Sequence, residues 1–231
     1  MAYDAPPPGW LWRLTLGGAA LLAAGIMALA LALLGGAADP PRAGPLLWQD
    51  DFKSGSARWT WTASPGATVA PEAGALVATF TAAGQTVAGI SAAPPGAFTL
   101  EIAGAQTAGA AGAAYGLVLD WGGPAWYTAV LINGNGYAEV FQQAGAARTD
   151  AYAWQQWPHI LYGAESNRVR VDAAGGRLTV RVNDEWLGEF ARPAPDPGGD
   201  FQPAAGQFGV LARSAGPGRV VFSWVRVWAA P

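Results

Sequence analysis

The chain has no cysteine, one histidine and one lysine. Without thiols there is no disulfide framework, no cysteine zinc site, no iron–sulfur cluster and no thiol nucleophile. One histidine excludes every metal site that needs two. Charge is scarce as well: 13% of the 231 residues are charged, against about 25% in an average soluble chain. The net charge is −3 and no basic cluster occurs, so the electrostatic footprint of a nucleic-acid binder is missing. The sequence holds no Walker A loop, no Gly-x-Gly-x-x-Gly between a strand and a helix, no Gly-x-Ser-x-Gly elbow and no Asn-x-Ser/Thr sequon. Gly (32) and Pro (18) are abundant but follow no period, which excludes collagen. Twelve Trp are too many for a disordered chain.

The hydrophobicity is concentrated near the N-terminus. From Leu14 to Ala38 no residue is charged. As a helix this run is about 37 Å long, enough for a hydrocarbon core of about 30 Å. Trp10 and Trp12 precede it, where amphipathic rings favour the headgroup layer, and Pro40-Pro41 close it. The pattern predicts a short tail over 1–13, a membrane helix over 14–38 and a linker over 39–45. A cleaved signal peptide ending at Gly36-Ala37-Ala38 is the rival reading, but the apolar run is longer than an ordinary signal core. Arg13 favours a cytoplasmic tail and an extracytoplasmic C-terminal part, against Arg42 on the far side. Ala20, Ala24, Ala28, Ala32 and Gly36 form a small-residue file along the helix. Such a file lets a partner membrane helix approach closely; a compositional excess of Ala explains it equally well.

Residues 46–231 show no sustained helical period. Short alternating runs are separated by Gly, Pro, Asn and Asp instead. Leu76, Ala78 and Phe80 share a face; so do Phe98, Leu100 and Ile102, with Thr99 and Glu101 opposite. Tyr115, Leu117, Leu119 and Trp121 are expected on one face, opposite Val118 and Asp120. Asn133-Gly134-Asn135-Gly136 reads as a hairpin turn between 126–132 and 137–142. Val169, Val171, Leu178, Val180 and Val182 point inward, with Arg170, Thr179 and Arg181 toward water. Some twelve to fourteen strands without intervening helices predict an all-β fold: a two-sheet antiparallel jelly-roll sandwich behind a single transmembrane α-helix.

Several ordered stretches carry a family likeness: Trp48-Gln49-Asp50-Asp51-Phe52, Tyr115 to Leu119, Trp154-x2-Trp157, Asn167 to Val171, Gly176 to Asn183, Gly206 to Val210 and Val221 to Val227. This chain resembles the concanavalin A-like lectin/glucanase superfamily, closest in look to the laminin-G-like and 3-keto-disaccharide-hydrolase-like domains of bacteria. The resemblance spans nearly all of 46–231 and implies the jelly-roll sandwich. Its motifs are strands, turns and core aromatics, so it implies no particular activity. The Glu-x-Asp-x-Glu strand of the glucanase branch is missing. Asp50 and Asp51 are adjacent and face opposite ways in a strand; Asp184-Glu185 lie at a turn; Glu101 and Glu139 are isolated. The resemblance also leaves room for a calcium ion, with Asp120, Asn133 and Asn135 as candidate ligands, though turn formation alone explains the Asn-Gly repeat. No other cofactor is expected.

Ten of the twelve Trp lie beyond residue 45. Trp121, Trp126 and Tyr127 surround one loop, and Tyr152, Trp154 and Trp157 cluster near His159. Rings of this kind stack on sugar faces or pack a core. His159 alone could serve a Ser-His-Asp triad, but a backbone-bonded role is the simpler reading. Three functions follow: a membrane-anchored, non-catalytic module on the extracytoplasmic side that recognises a glycan or another envelope component; a single-pass accessory subunit of a membrane complex, its sandwich capping the outer face; and a keto-sugar hydrolase. Membrane lipid, transmembrane partners along the small-residue file and a glycan are the expected partners; nucleic acid is not.

Overall fold

The structure, a computed structural model, describes residues 9–34, 41–53, 58–94, 96–109, 112–192 and 206–230. The chain divides into two compact units, Met1–Pro41 and Arg42–Pro231.

The first unit holds one helix, α1 (Gly9–Leu34). It starts five residues before the predicted 14, directly after Pro6-Pro7-Pro8, because nothing from Gly9 to Arg13 breaks a helix. Residues 35–38 of the predicted span, Gly36 among them, lie outside the described residues. Leu21, Leu22, Ile26, Met27 and Leu31 are all exposed although they point around the whole helix. The stretch Thr15–Leu33 is long and apolar enough to cross a membrane and buries nothing against protein.

The second unit is a sandwich of fifteen strands among the described residues. They are β1 (Leu46–Asp50), β2 (Thr60–Ala63), β3 (Thr68–Glu72), β4 (Ala75–Phe80), β5 (Thr86–Ala92), β6 (Phe98–Gly109), β7 (Ala114–Gly123) and β8 (Trp126–Asn133). There follow β9 (Tyr137–Ala144), β10 (Ala147–Gln156), β11 (Asn167–Ala174), β12 (Arg177–Val182), β13 (Glu185–Ala191), β14 (Gln207–Arg213) and β15 (Gly218–Ala229). All pairings are antiparallel. The first sheet runs β13-β12-β11-β6-β15-β4-β3, with β1 also on β15; the second runs β10-β9-β8-β7-β14-β5-β2.

Alternation explains the core. Leu76, Ala78, Phe80, Leu100, Ile102, Val169, Val171, Leu178, Val180 and Val182 leave the first sheet inward, as their spacing predicts, and meet Tyr115, Leu117, Leu119, Val130, Ile132 and Val210 of the second. Aromatics close one end. Trp59 lies edge-on to Trp48 at 6.0 Å and to Phe208 at 6.3 Å, and its indole N–H donates to the Asp50 carboxylate at 2.8 Å. Asp51 points away and holds Lys53 at the surface.

Turn chemistry fixes the registers. At 133–136 only Gly136 takes a positive φ. The Asn133 carboxamide oxygen accepts from the N–H groups of Asn135 and Tyr137 at 3.0 and 3.1 Å, so Asn133 caps the loop. Between β12 and β13, Asn183 and Asp184 both adopt positive φ, the backbone of a two-residue hairpin loop. Asn167 is buried where the sheets meet. Its amide donates to the Tyr115 hydroxyl at 3.2 Å, and its oxygen accepts from Leu161 N–H at 2.7 Å.

Two expectations fail here. Arg170 and Arg181 leave the outward side of their strands yet are about 95% buried. Arg170 donates to Asp172 and to the Arg42 carbonyl, and Arg181 donates to the Asp184 carbonyl at 3.0 Å. Acceptors on β11 itself, in the 183–184 turn and in the peptide before β1 satisfy both. The second failure concerns Trp121. Asp120 takes a φ of +54° and the β7–β8 register shifts after Leu119. The alternation loses phase, so Trp121 joins Val118 on the outer side rather than Leu117 and Leu119.

Candidate functional site: the outer face of the second sheet

The outer face of the second sheet is itself apolar. Ala88, Ile90, Ala114, Val118, Ala129, Leu131, Phe141 and Leu211 form a buried layer there, separate from the inter-sheet core. Half-buried Trp121 and Tyr127 pack on it. Their rings stack at 5.4 Å with 29° between planes, and Tyr127 meets Phe141 edge-on at 5.9 Å.

One carboxylate is set into this layer. Glu139 on β9 is fully buried. One oxygen accepts from Arg148 of β10 and the other from Arg213 of β14 at 2.7 Å. Both guanidinium groups lie over the Phe141 ring, Arg148 at 3.8 Å and Arg213 at 5.8 Å. Arg148 also donates to Asp150 at 2.7 Å. About one third of each Arg side chain remains exposed. Burial raises the pKa of the Tyr127 phenol above its ordinary value, while the charges of Arg213 and Arg148 pull it down. Trp121, Tyr127, Phe141, Arg148, Arg213 and Glu139 therefore form one site: a ring platform beside guanidinium donors held by a buried acid.

The six residues predicted from sequence divide. Trp121 and Tyr127 build the platform. Trp126 opens β8 as the neighbour of Tyr127, and alternation directs it to the opposite side; its ring lies close to Gly145. Tyr152 and Trp157 pack against the inter-sheet core, Tyr152 edge-on to Phe190 at 6.1 Å. Tyr152 turns inward because β10 shifts register and pairs it with inward-facing Val140. The Trp157 indole N–H is buried without a partner among the described residues. Trp154 is 38% exposed on β10, the edge strand. His159 lies 5.4 Å from the Trp157 ring, and its backbone carbonyl accepts from Asn183 at 2.7 Å.

The proposed calcium ligands are not brought together. Asn133 pairs with Ala114 at one end of the β7–β8 hairpin, and Asp120 follows Leu119, five residues further along. At about 3.4 Å per residue that is some 17–20 Å. Asp120 is bound by Arg192 through Nε at 3.1 Å to both oxygens, and the Asn133 oxygen is engaged by its own loop. Asn135 stays beside Asn133. No cluster of three acidic or His side chains fit for a metal occurs among the described residues.

Sequence reasoning missed the Glu139 clamp. Arg148 lies nine residues away and Arg213 seventy-four, and only the strand order joins them. An acid inside the β-branched hairpin 126–142 was the available signal.

This geometry can be set beside known structures. No family model and no curated protein matches the sequence. Solved structures do match in fold. The carbohydrate binding module CBM66 from Bacillus subtilis has a TM-score of 0.53 at 17% identity, over 71% of this chain and 91% of that one. The GH43 protein BlXynB from Bacillus licheniformis gives 0.56 at 13%, over 79% of this chain and 39% of that one. A protein of unknown function with a galectin-like fold, also from B. subtilis, gives 0.50 at 10%, over 81% and 97%. At these identities the likeness shows the fold alone.

Proposed function

We propose that this chain is a membrane-anchored recognition module that binds a glycan on the outer face of its second sheet. The carrying observation is the Trp121–Tyr127 stack beside Arg148 and Arg213. Ring faces take the C–H side of a sugar, and part-exposed guanidinium groups donate to its hydroxyl or ring oxygens. Binding is favoured over hydrolysis because both Glu139 oxygens are occupied by guanidinium donors. Glycoside cleavage needs one carboxyl free to give a proton and a second free to attack or activate water. The likeness to a carbohydrate binding module supports the same reading.

The anchor is α1, left uncleaved and placing the sandwich outside the cytoplasm. N-terminal sequencing of the mature chain checks this, since a start near Asp39 removes the anchor. For the site, calorimetry of the detergent-solubilised full chain against a polysaccharide panel is decisive. Trp121→Ala and Arg148→Ala should each weaken binding at least tenfold; a parent chain that binds nothing on the panel sinks the proposal. A second reading, the accessory subunit, draws on exposed Ala20, Ala24 and Ala28 along one side of α1. Ala24→Leu would then release a membrane partner that otherwise co-purifies.

A further inference from the structure

The opposite outer face, on the first sheet, combines features that the glycan reading leaves unused. One register row runs Arg181, Arg170, Glu101, Arg226 across β12, β11, β6 and β15. Arg168 lies beside it, 3.8 Å from Glu101. With Asp172, Asp184 and the ion pairs Arg177–Glu189 and Arg219–Glu72 this face carries six Arg against five carboxylates, whereas the rest of 46–231 holds five basic and nine acidic residues. It is the positive side of an acidic domain.

The same face is rich in half-buried rings. Trp224 packs under Arg226 at 4.2 Å and Trp228 lies near Arg170 at 5.9 Å. Trp186, at the far edge opposite Arg181, is 53% exposed. Leu46, paired with Trp228, and Leu47 are about half exposed. The peptide leading into β1 lies here too: the Arg42 carbonyl accepts from Arg170, and the Pro45 carbonyl from the Ala229 N–H at 3.0 Å. Only residues 35–40 separate Leu34 from Pro41, which covalent geometry limits to about 25 Å.

Trp rings and arginines together suit the headgroup layer of a bilayer. The rings take the boundary between water and hydrocarbon, and guanidinium groups pair bidentately with phosphate. We infer that the first sheet's outer face, from Leu46-Leu47 and Trp228 to Trp224 and Arg226, rests on the anionic headgroups of the membrane that α1 spans, leaving the second sheet's outer face open to ligand. The inference rests on the uncleaved anchor and is independent of the glycan.

Because the chain has no cysteine, single labelling sites are clean. Leu47→Cys, Thr62→Cys on the outer face of the second sheet, and Leu22→Cys in α1 would each carry a fluorophore on the full chain in liposomes. The bilayer is phosphatidylglycerol and phosphatidylcholine, with headgroup-level nitroxide lipid for the Leu47 and Thr62 labels and mid-chain nitroxide lipid for the Leu22 label, which would lie near the bilayer centre. The Leu47 label should be quenched at least threefold more than the Thr62 label. Arg168→Glu with Arg226→Glu, or a phosphatidylcholine bilayer, should at least halve that difference. A quenched Leu22 label with equal signals at Leu47 and Thr62 overturns the inference alone. An unquenched Leu22 label removes the anchor and this inference with it.

Discussion

The two sheets present unlike outer faces. On the first, β6, β11 and β12 pair without a register shift: Val169, Val171, Val180 and Val182 face in, while Arg168, Arg170, Arg181 and Glu101 face out and bind one another or nearby groups. On the second, Leu117, Val118 and Leu119 are all fully buried although they point to both sides. A strand covered on one face alternates, and a strand covered on both reads as a continuous apolar run. The first sheet therefore satisfies its exterior with ion pairs. The second builds a second apolar floor and sets a single acid into it.

The largest test of this contrast places a carboxylate in each layer. Val180→Asp charges the inter-sheet core and Val118→Asp the second floor. Each should cost more than about 4 kcal/mol, read by chemical denaturation. A Val118→Asp chain as stable as the parent would show that the floor is not packed. Next comes the clamp. Glu139→Gln leaves Arg213 over Phe141 without a carboxylate partner and Arg148 with Asp150 alone, and should cost about 3 kcal/mol. Glu72→Gln, which breaks an exposed pair with Arg219, should cost under about 0.5 kcal/mol.

Alkaline pH probes the core between the two faces. Burial pushes the Tyr115 phenol up to about 12. Its protonated form is favoured in the folded state, so the stability it contributes is full below pH 10 and lost as pH rises toward 12. The loss should total about 3 kcal/mol at 1.36 kcal/mol per unit. Tyr115→Phe should flatten that decline in the melting temperature. The smallest effect belongs to Glu101, whose carboxyl is pushed up by burial against the pull of Arg168 and Arg170. Its contribution is full below about pH 4.5 and lost as pH rises. Glu101→Gln should therefore raise the melting temperature at pH 7 relative to the parent and leave it unchanged at pH 4. A drop at pH 7 would make Glu101 a stabilising partner like Glu139.

What the sequence revealed follows from the range of the interactions. Period-two alternation over 168–182 and the turn residues at 133–136 and 183–184 are local, and they placed the core valines and the hairpins. The phase change at Asp120 is a single backbone angle with no marker in composition, so alternation alone puts Trp121 on the wrong side. For Tyr152 and Trp157 local sequence leaves stacking and core packing equally open, because the register shift that turns Tyr152 inward has no marker in composition. Glu139 is isolated in the sequence because Arg213 arrives only when β14 docks beside β7 and Arg148 reaches it only through the β9–β10 register. The platform pair Trp121 and Tyr127 was legible as aromatic density; the donors beside it were not.

The placement of β15 has a consequence for when the domain can form. Its twelve residues pair with β6, β4 and β1 in the middle of the first sheet. A chain emerging N-terminus first holds β4 and β6 with open edges until residue 229 is out, more than a hundred residues after β6 was made. Pairings of such long range close slowly, and unpaired edges invite association with other chains meanwhile. Maturation of this protein is thus timed by the arrival of its last described strand rather than by the strength of its early hairpins.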